Sequence, residues 1–248
     1  MRQSIVRRVV ALLTVSLALL VVPSAFAAGA SARAHGRPNL RISHGTSTNW
    51  SGYALTGAGP YKSVSASWTQ PEVNCATTRT GWSAFWIGID GDTSASVEQT
   101  GSEADCAGGR PSYSAWFEMY PRYPVTFAEP VSPGDDFTAA VQSLTRGRFR
   151  LTLSDTTRGW SRTVVRRLRS AALGSAEAIA EAPSSAFGVL PLADFATVDF
   201  SGLSVNGSLV SAATPGIEPI TMESATGATE AEPSTISDGS FSDTWFSQ

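Results

Sequence analysis

Trp82-Ser83-Ala84-Phe85-Trp86-Ile87-Gly88-Ile89-Asp90-Gly91-Asp92, followed shortly by Val97-Glu98-Gln99-Thr100-Gly101, reads as a strand, a turn and a second strand. Phe85, Ile87 and Ile89 alternate with Trp86, Gly88 and Asp90. One face is therefore aliphatic; the other carries an aromatic ring, bare backbone and a carboxylate. Asp90-Gly91-Asp92 supplies the turn, with Gly91 free to take a positive φ. Gln99 sits on the second strand, where a glutamine is ordinarily a solvated surface residue.

Short β-type segments extend outward in both directions, at 49–54, 64–69, 113–121, 137–144, 149–153, 160–168 and 175–183. Shorter ones follow at 196–200, 204–205, 209–213, 220–222 and 244–246. Arg162 to Leu173 has some helical look, but Thr163, Val164 and Val165 favour a strand. Many short strands punctuated by turns such as Pro133-Gly134-Asp135 predict an all-β fold. The expected form is an antiparallel β-sandwich of two packed sheets, jelly-roll or concanavalin-like, as one domain over 49–248.

Residues 1–27 have the form of a secretory signal peptide. Arg2, Arg7 and Arg8 precede an apolar run from Val9 to Val22, and Ala25-Phe26-Ala27 supplies a cleavage site. The mature chain is expected to be secreted, with no membrane span. Residues 28–48 are rich in Ala, Gly, Ser and Arg, and read as a basic linker or short pro-segment. A plain linker explains that composition; alternatively, Arg33, Arg37 and Arg41 rest on an acidic groove until its carboxylates protonate. All 21 acidic residues but only 15 of the 18 basic ones lie beyond position 27, a charge of 15 − 21 = −6. That argues against nucleic acid or an anionic membrane as partner. Charged residues are 16% of the chain, few for a soluble protein. Such a surface is either an adaptation to acid, since fewer native carboxylate pairs means less stability lost on protonation, or a consequence of GC-rich coding. Cys75 and Cys106, an even pair in an exported chain, are expected to form a disulfide. Nothing demands more than a monomer.

Both histidines, His35 and His44, precede Asn49. A Ser-His-Asp triad, a Cys-His pair and a His-ligated zinc site are thereby excluded from the domain. One sheet face collects Trp86, Asp90, Trp116, Glu118, Tyr120 and Glu181. Aromatics and carboxylates together could line a groove for an extended polymer, peptide or polysaccharide; the tryptophans could equally be core.

Asn49-Trp50-Ser51-Gly52, Trp86 to Gly91, Glu98 to Gly101, Tyr113 to Pro121 and Ala176-Glu177 through Glu181 occur in the order seen in the glutamic peptidases, the eqolisin family, which this chain resembles from about Asn49 to Ser204. The resemblance implies an endopeptidase active in acid, acting on polypeptides without metal or cofactor and resistant to pepstatin-type inhibitors. It implies Gln99 and Glu181 as catalytic residues, and Trp50, Trp86, Asp90, Glu118 and Tyr120 as substrate-binding ones. Glu177 is a rival for the catalytic glutamate, and Ala178 stands where the family usually has an aromatic.

The chemistry is consistent with elementary requirements. Peptide hydrolysis needs a base for water, a donor for the oxyanion and an acid for the leaving amine. Without histidine a carboxyl is the natural proton carrier, and it serves best in acid. A Gln amide donates without titrating. Two other readings use the same face. A glycoside hydrolase would use Glu118 and Glu181 as its carboxyl pair. A carbohydrate-binding module would use the aromatics alone.

Overall fold

In the computed structural model of this protein, the structure describes residues 45–92 and 94–248. The expected signal peptide and nearly all of the basic linker lie outside these residues, as do the linker arginines and both histidines. In chain order the strands begin with β1 Thr46–Ser47, β2 Trp50–Thr56, β3 Ser63–Thr69, β4 Gly81–Ile89, β5 Val97–Ala107 and β6 Arg110–Tyr120. They continue with β7 Val125–Thr126, β8 Asp136–Ser143, β9 Arg148–Asp155, β10 Trp160–Arg167, β11 Ser175–Glu181 and β12 Ser184–Ser185. The last six are β13 Gly188–Val189, β14 Thr197–Val205, β15 Ser208–Leu209, β16 Ile217–Glu223, β17 Thr229–Pro233 and β18 Phe241–Trp245.

Hydrogen-bonded neighbours run β10-β9-β8-β3-β14-β18-β17-β16-β2-β11-β4-β5-β6-β7, a ribbon folded into two layers. β16 is the hinge between them, because it pairs with β17 on one side and β2 on the other. A register shift between Met222 and Glu223 bends it there, as a bulge does. The antiparallel sandwich predicted from alternation is the fold observed. Alternation also explains the core: Phe85, Ile87 and Ile89 of the β4 layer are buried with Phe137, Val141, Phe149, Leu151 and Leu153 of the β8–β9 layer. Two buried polar contacts tie the layers together. Trp68 Nε1 donates to Ser102 Oγ at 2.9 Å, and Ser51 Oγ donates to Asp243 Oδ1 at 2.9 Å.

Several elements differ from the sequence expectation. β5 is 11 residues long, because Gly101 and the small residues around it continue the pairing that a five-residue reading cut short. Residues 160–167 are strand with no helix, the β-branched run deciding. Of 209–213 only Leu209 is in a strand. Pairing begins before Asn49, since Thr46 and Ser47 lie parallel to Thr221 and Met222. Among the described residues no helix is long and apolar enough to cross a membrane.

Cys75 and Cys106 form the expected disulfide, 31 residues apart in sequence, with Cα atoms 5.4 Å apart. It fastens the loop before β4 to the far end of β5. Closing a loop of that length removes unfolded-state entropy worth about 3–4 kcal/mol. The Cys75→Ala/Cys106→Ala variant should therefore unfold at clearly lower denaturant, read as a fall in urea midpoint at acid pH.

Candidate active site

Antiparallel register stacks three rows across β2, β11, β4, β5 and β6. The first is Trp50–Glu181–Ala84–Glu103–Ser114, the second Gly52–Ile179–Trp86–Gly101–Trp116, the third Ala54–Glu177–Gly88–Gln99–Glu118. Since Phe85 and Ile87 point into the core, all three rows lie on the outer face of this layer. That face has its own apolar cluster, built from Trp50, Trp86, Trp116, Val97, Ile179 and Ile220, with Tyr120 packed at its side. The tryptophans are thus outside the main core and still nearly inaccessible.

Trp86 occupies the centre. A Cβ on Gly101 would sit 2.5 Å from Trp86 Cβ, and one on Gly88 would sit 2.9 Å from Trp86 Cζ3 and 3.2 Å from Gln99 Cβ. Gly88 is therefore needed to seat the indole, whose benzo edge lies over it, whereas Gly101 lets β5 approach the β4 backbone, a Cβ there meeting the Phe85 carbonyl oxygen at 2.2 Å. Its other end reaches Glu181: Trp86 Nε1 donates to Glu181 Oε2 at 2.7 Å. Asn49 Nδ2 donates to Glu181 Oε1 at 3.3 Å. Trp50 braces the indole edge-on, with ring centroids 4.9 Å apart. Gln99 Nε2 donates to Glu118 Oε2 at 2.6 Å, while Gln99 Oε1 has no hydrogen-bond partner among the described residues. Glu118 takes one of the two amide hydrogens of Gln99. Glu181, Gln99 and Glu118 keep 6%, 4% and 4% exposure, so all three remain reachable.

Not every expected residue serves as read. Asp90 does not line this face. It is fully buried, at φ +69°, and its carboxylate accepts the backbone N–H groups of Ala172, Leu173 and Gly174 at 2.8, 3.0 and 2.7 Å. The turn after β4 inverts the alternation that predicted an outward side chain, and Asp90 locks the approach to β11 instead. Glu118 is spent orienting Gln99, and Trp50 and Trp86 form the floor. Of the five expected substrate contacts only Tyr120 is more than marginally exposed. Glu177 shares the Gln99 row but is entirely inaccessible. Burial, reinforced by Asp92 and Asp90, holds its carboxyl well above the usual range, so it stays protonated.

Three residues escaped the sequence reading. Asn49 anchors Glu181, and the Ser47 hydroxyl accepts the Asn49 and Trp50 amides at 3.3 and 3.2 Å, fixing the entry to β2. Glu103 lies in the Glu181 row and accepts from Ser114 Oγ at 2.9 Å. Period-two spacing from Gln99 through Gly101 to Glu103 was the available signal. Among the described residues no group of three or more His, Cys, Asp or Glu is placed to hold a metal ion.

Comparison with known proteins bears on this face. The peptidase A4 family profile matches residues 48–245. Aspergillopepsin-2 of Aspergillus niger is 29% identical over 180 residues, 62% of this chain and 63% of that protein's length. The crystal structure of scytalido-glutamic peptidase with a transition-state analogue inhibitor superposes with a TM-score of 0.70 at 25% identity, covering 80% of this chain and 98% of that one. Aspergilloglutamic peptidase from Aspergillus niger superposes with a TM-score of 0.60 at 28% identity, over 67% of this chain and 99% of that one.

Proposed function

The chain belongs to the peptidase A4 family, and from that premise we propose that it is a secreted, monomeric acid endopeptidase, independent of metal and insensitive to pepstatin. Glu181 and Gln99 do the chemistry. What carries this reading is the indole of Trp86, which bonds the Glu181 carboxylate at one end and at the other lies over Gly88, the residue paired with Gln99, on the same outer face of the sheet.

Ionised Glu181 takes a proton from a water molecule as its oxygen attacks the scissile carbonyl. The amide hydrogen of Gln99 not used by Glu118 donates to the developing oxyanion. Protonated Glu181 then gives its proton to the departing amine nitrogen, which completes the cycle. Trp86 and Asn49 aim the carboxylate through both steps. A glycosidase pair would need Glu118 as its second acid, and Glu118 is bonded to Gln99.

Digestion of denatured casein from pH 2 to 8, with and without pepstatin, tests the reading. Activity should peak in acid and ignore pepstatin; a neutral optimum or pepstatin inhibition would overturn it. Gln99→Ala should lower kcat about 10²–10³-fold, as loss of one oxyanion donor does, with little change in KM.

A further inference from the structure

Of the twelve basic residues from Gly45 onward, eight fall between Arg146 and Arg169, a stretch whose one acid is Asp155. This stretch is the β9–β10 hairpin, at the edge of the layer opposite the Gln99–Glu181 face. Arg158 and Arg162 are paired there, with Asp135 and Glu129. Arg166 is turned to the other face, over the Phe117 ring, and the rest form an unmatched cluster. Arg148 and Arg167 stand directly opposite one another across the two strands, both exposed. Arg150 is one outward position along β9 and donates only to neutral Gln142 Oε1, at 3.1 Å. Arg167 Nε donates to the carbonyl of Arg146, which draws a third guanidinium in at the turn. Arg169 lies beside Gly147 in the same turn, and the backbone of Lys62, the sole lysine, bonds Ser143 at the end of β8. Among the described residues none of these six has an ion pair to Asp or Glu.

Like charges set opposite each other in a sheet are destabilising. Edge strands do carry charge to prevent aggregation, but alternating signs or one lysine would serve that end. A one-sign cluster with arginines at paired cross-strand positions is the arrangement that a polyanion neutralises, since planar guanidiniums bind sulfate and phosphate oxygens in bidentate fashion. We infer that the outer surface of β9 and β10 docks an anionic polysaccharide carrying sulfate or phosphate esters. Arginine stays charged at every working pH, and so do those esters. Carboxylate polymers lose their charge in acid and are excluded. Between the arginines stand Thr152, Ser154, Ser161, Thr163 and Val165, which offer no aromatic ring on which bases could stack, so a glycan fits better than single-stranded nucleic acid. Bound this way, the chain presents its Glu181 face away from the matrix.

The test is binding of fluorescent dextran sulfate to the mature protein at pH 4 and low salt. Wild-type protein should bind, with affinity falling as salt rises. The Arg148→Gln/Arg150→Gln/Arg167→Gln variant should bind about a hundredfold more weakly, from several-fold per basic residue lost, with casein hydrolysis unchanged. The corresponding triple lysine variant, which keeps the charge without the bidentate fork, should bind more weakly than wild type and more tightly than the glutamine variant, and Arg79→Gln/Arg110→Gln/Arg122→Gln, an equal charge change elsewhere, should retain most binding. Polygalacturonate at pH 3 should not bind. Failure of wild-type protein to bind, equal losses in both glutamine variants, or tighter binding of a single-stranded DNA oligonucleotide would each overturn the assignment.

Discussion

Glu181→Gln should lower kcat for peptide hydrolysis about 10²–10⁴-fold, the range for removal of a positioned acid–base group. The substitution keeps the shape of the side chain and removes only its ability to carry a proton. Its structural cost should be small but measurable. Trp86 Nε1 and Asn49 Nδ2 each donate to one carboxyl oxygen, whereas glutamine offers one oxygen and one NH2. One donor then faces another donor, a mismatch worth about 1–3 kcal/mol. The thermal midpoint should fall modestly while near-native circular dichroism is retained. Glu177→Gln is the matched comparison. Glu177 is inaccessible and held protonated, so a neutral amide of the same shape should leave kcat within a few-fold. If Glu181→Gln keeps a tenth or more of wild-type kcat, or if Glu177→Gln is the inactive one, the roles given to the two glutamates are wrong.

The contrast between those glutamates marks what the sequence could and could not convey. Four residues separate them on one strand, so period-two alternation placed both on one face and could not rank them. Ranking needed the third dimension. Trp86 lies over Gly88 and Trp50 against Gly91, and on this face Glu177 is inaccessible while Glu181 keeps a small exposure. The sandwich itself was legible because Phe85, Ile87, Ile89 and the Phe149–Leu151–Leu153 series alternate without interruption. Asp90 was misplaced because its positive φ breaks that alternation at the last residue before the turn, where a carboxylate could equally face a groove or cap a neighbouring backbone. Glu118 was legible as a face residue beside Trp116 and Tyr120, but nothing in the chain announces its register opposite Gln99 or that it spends an oxygen on the Gln99 amide. The ordered blocks of family resemblance supplied what alternation lacked: which of many buried polar residues were worth joining into one site.

Stability should be greatest in acid and should fall steadily as pH rises from about 4.5 toward 8, because the interior holds carboxyl groups and no basic side chain. Among the described residues the buried ionisable groups include Glu98, Glu177 and Asp243, and no Lys, Arg or His. Burial pushes Glu98 up to about 9, with Asp90 adding to the effect and the Ser96 hydroxyl opposing it. It pushes Asp243 up to about 8 against the Ser51 hydrogen bond, Glu232 contributing in the same sense. Glu177 moves in the same direction. In the unfolded chain such groups ionise near pH ~4. Below that value both states are protonated and these groups make no difference. Above it the unfolded chain has released protons that the native state still holds, so each group costs about 1.4 kcal/mol of stability per pH unit, until the folded-state value is reached. Glu98 and Asp243 alone then cost about 3 kcal/mol per unit, a large share of a typical margin of about 5–15 kcal/mol, and Glu177 acts in the same direction. Thermal midpoints measured from pH 3 to 8 should therefore drop without a plateau above about 4.5. Glu98→Gln and Asp243→Asn, neutral at every pH, should each flatten that slope by about one proton's worth. Stability that rises between pH 5 and 8, or a slope unchanged in both variants, would mean that these carboxyls are not held protonated in the folded protein.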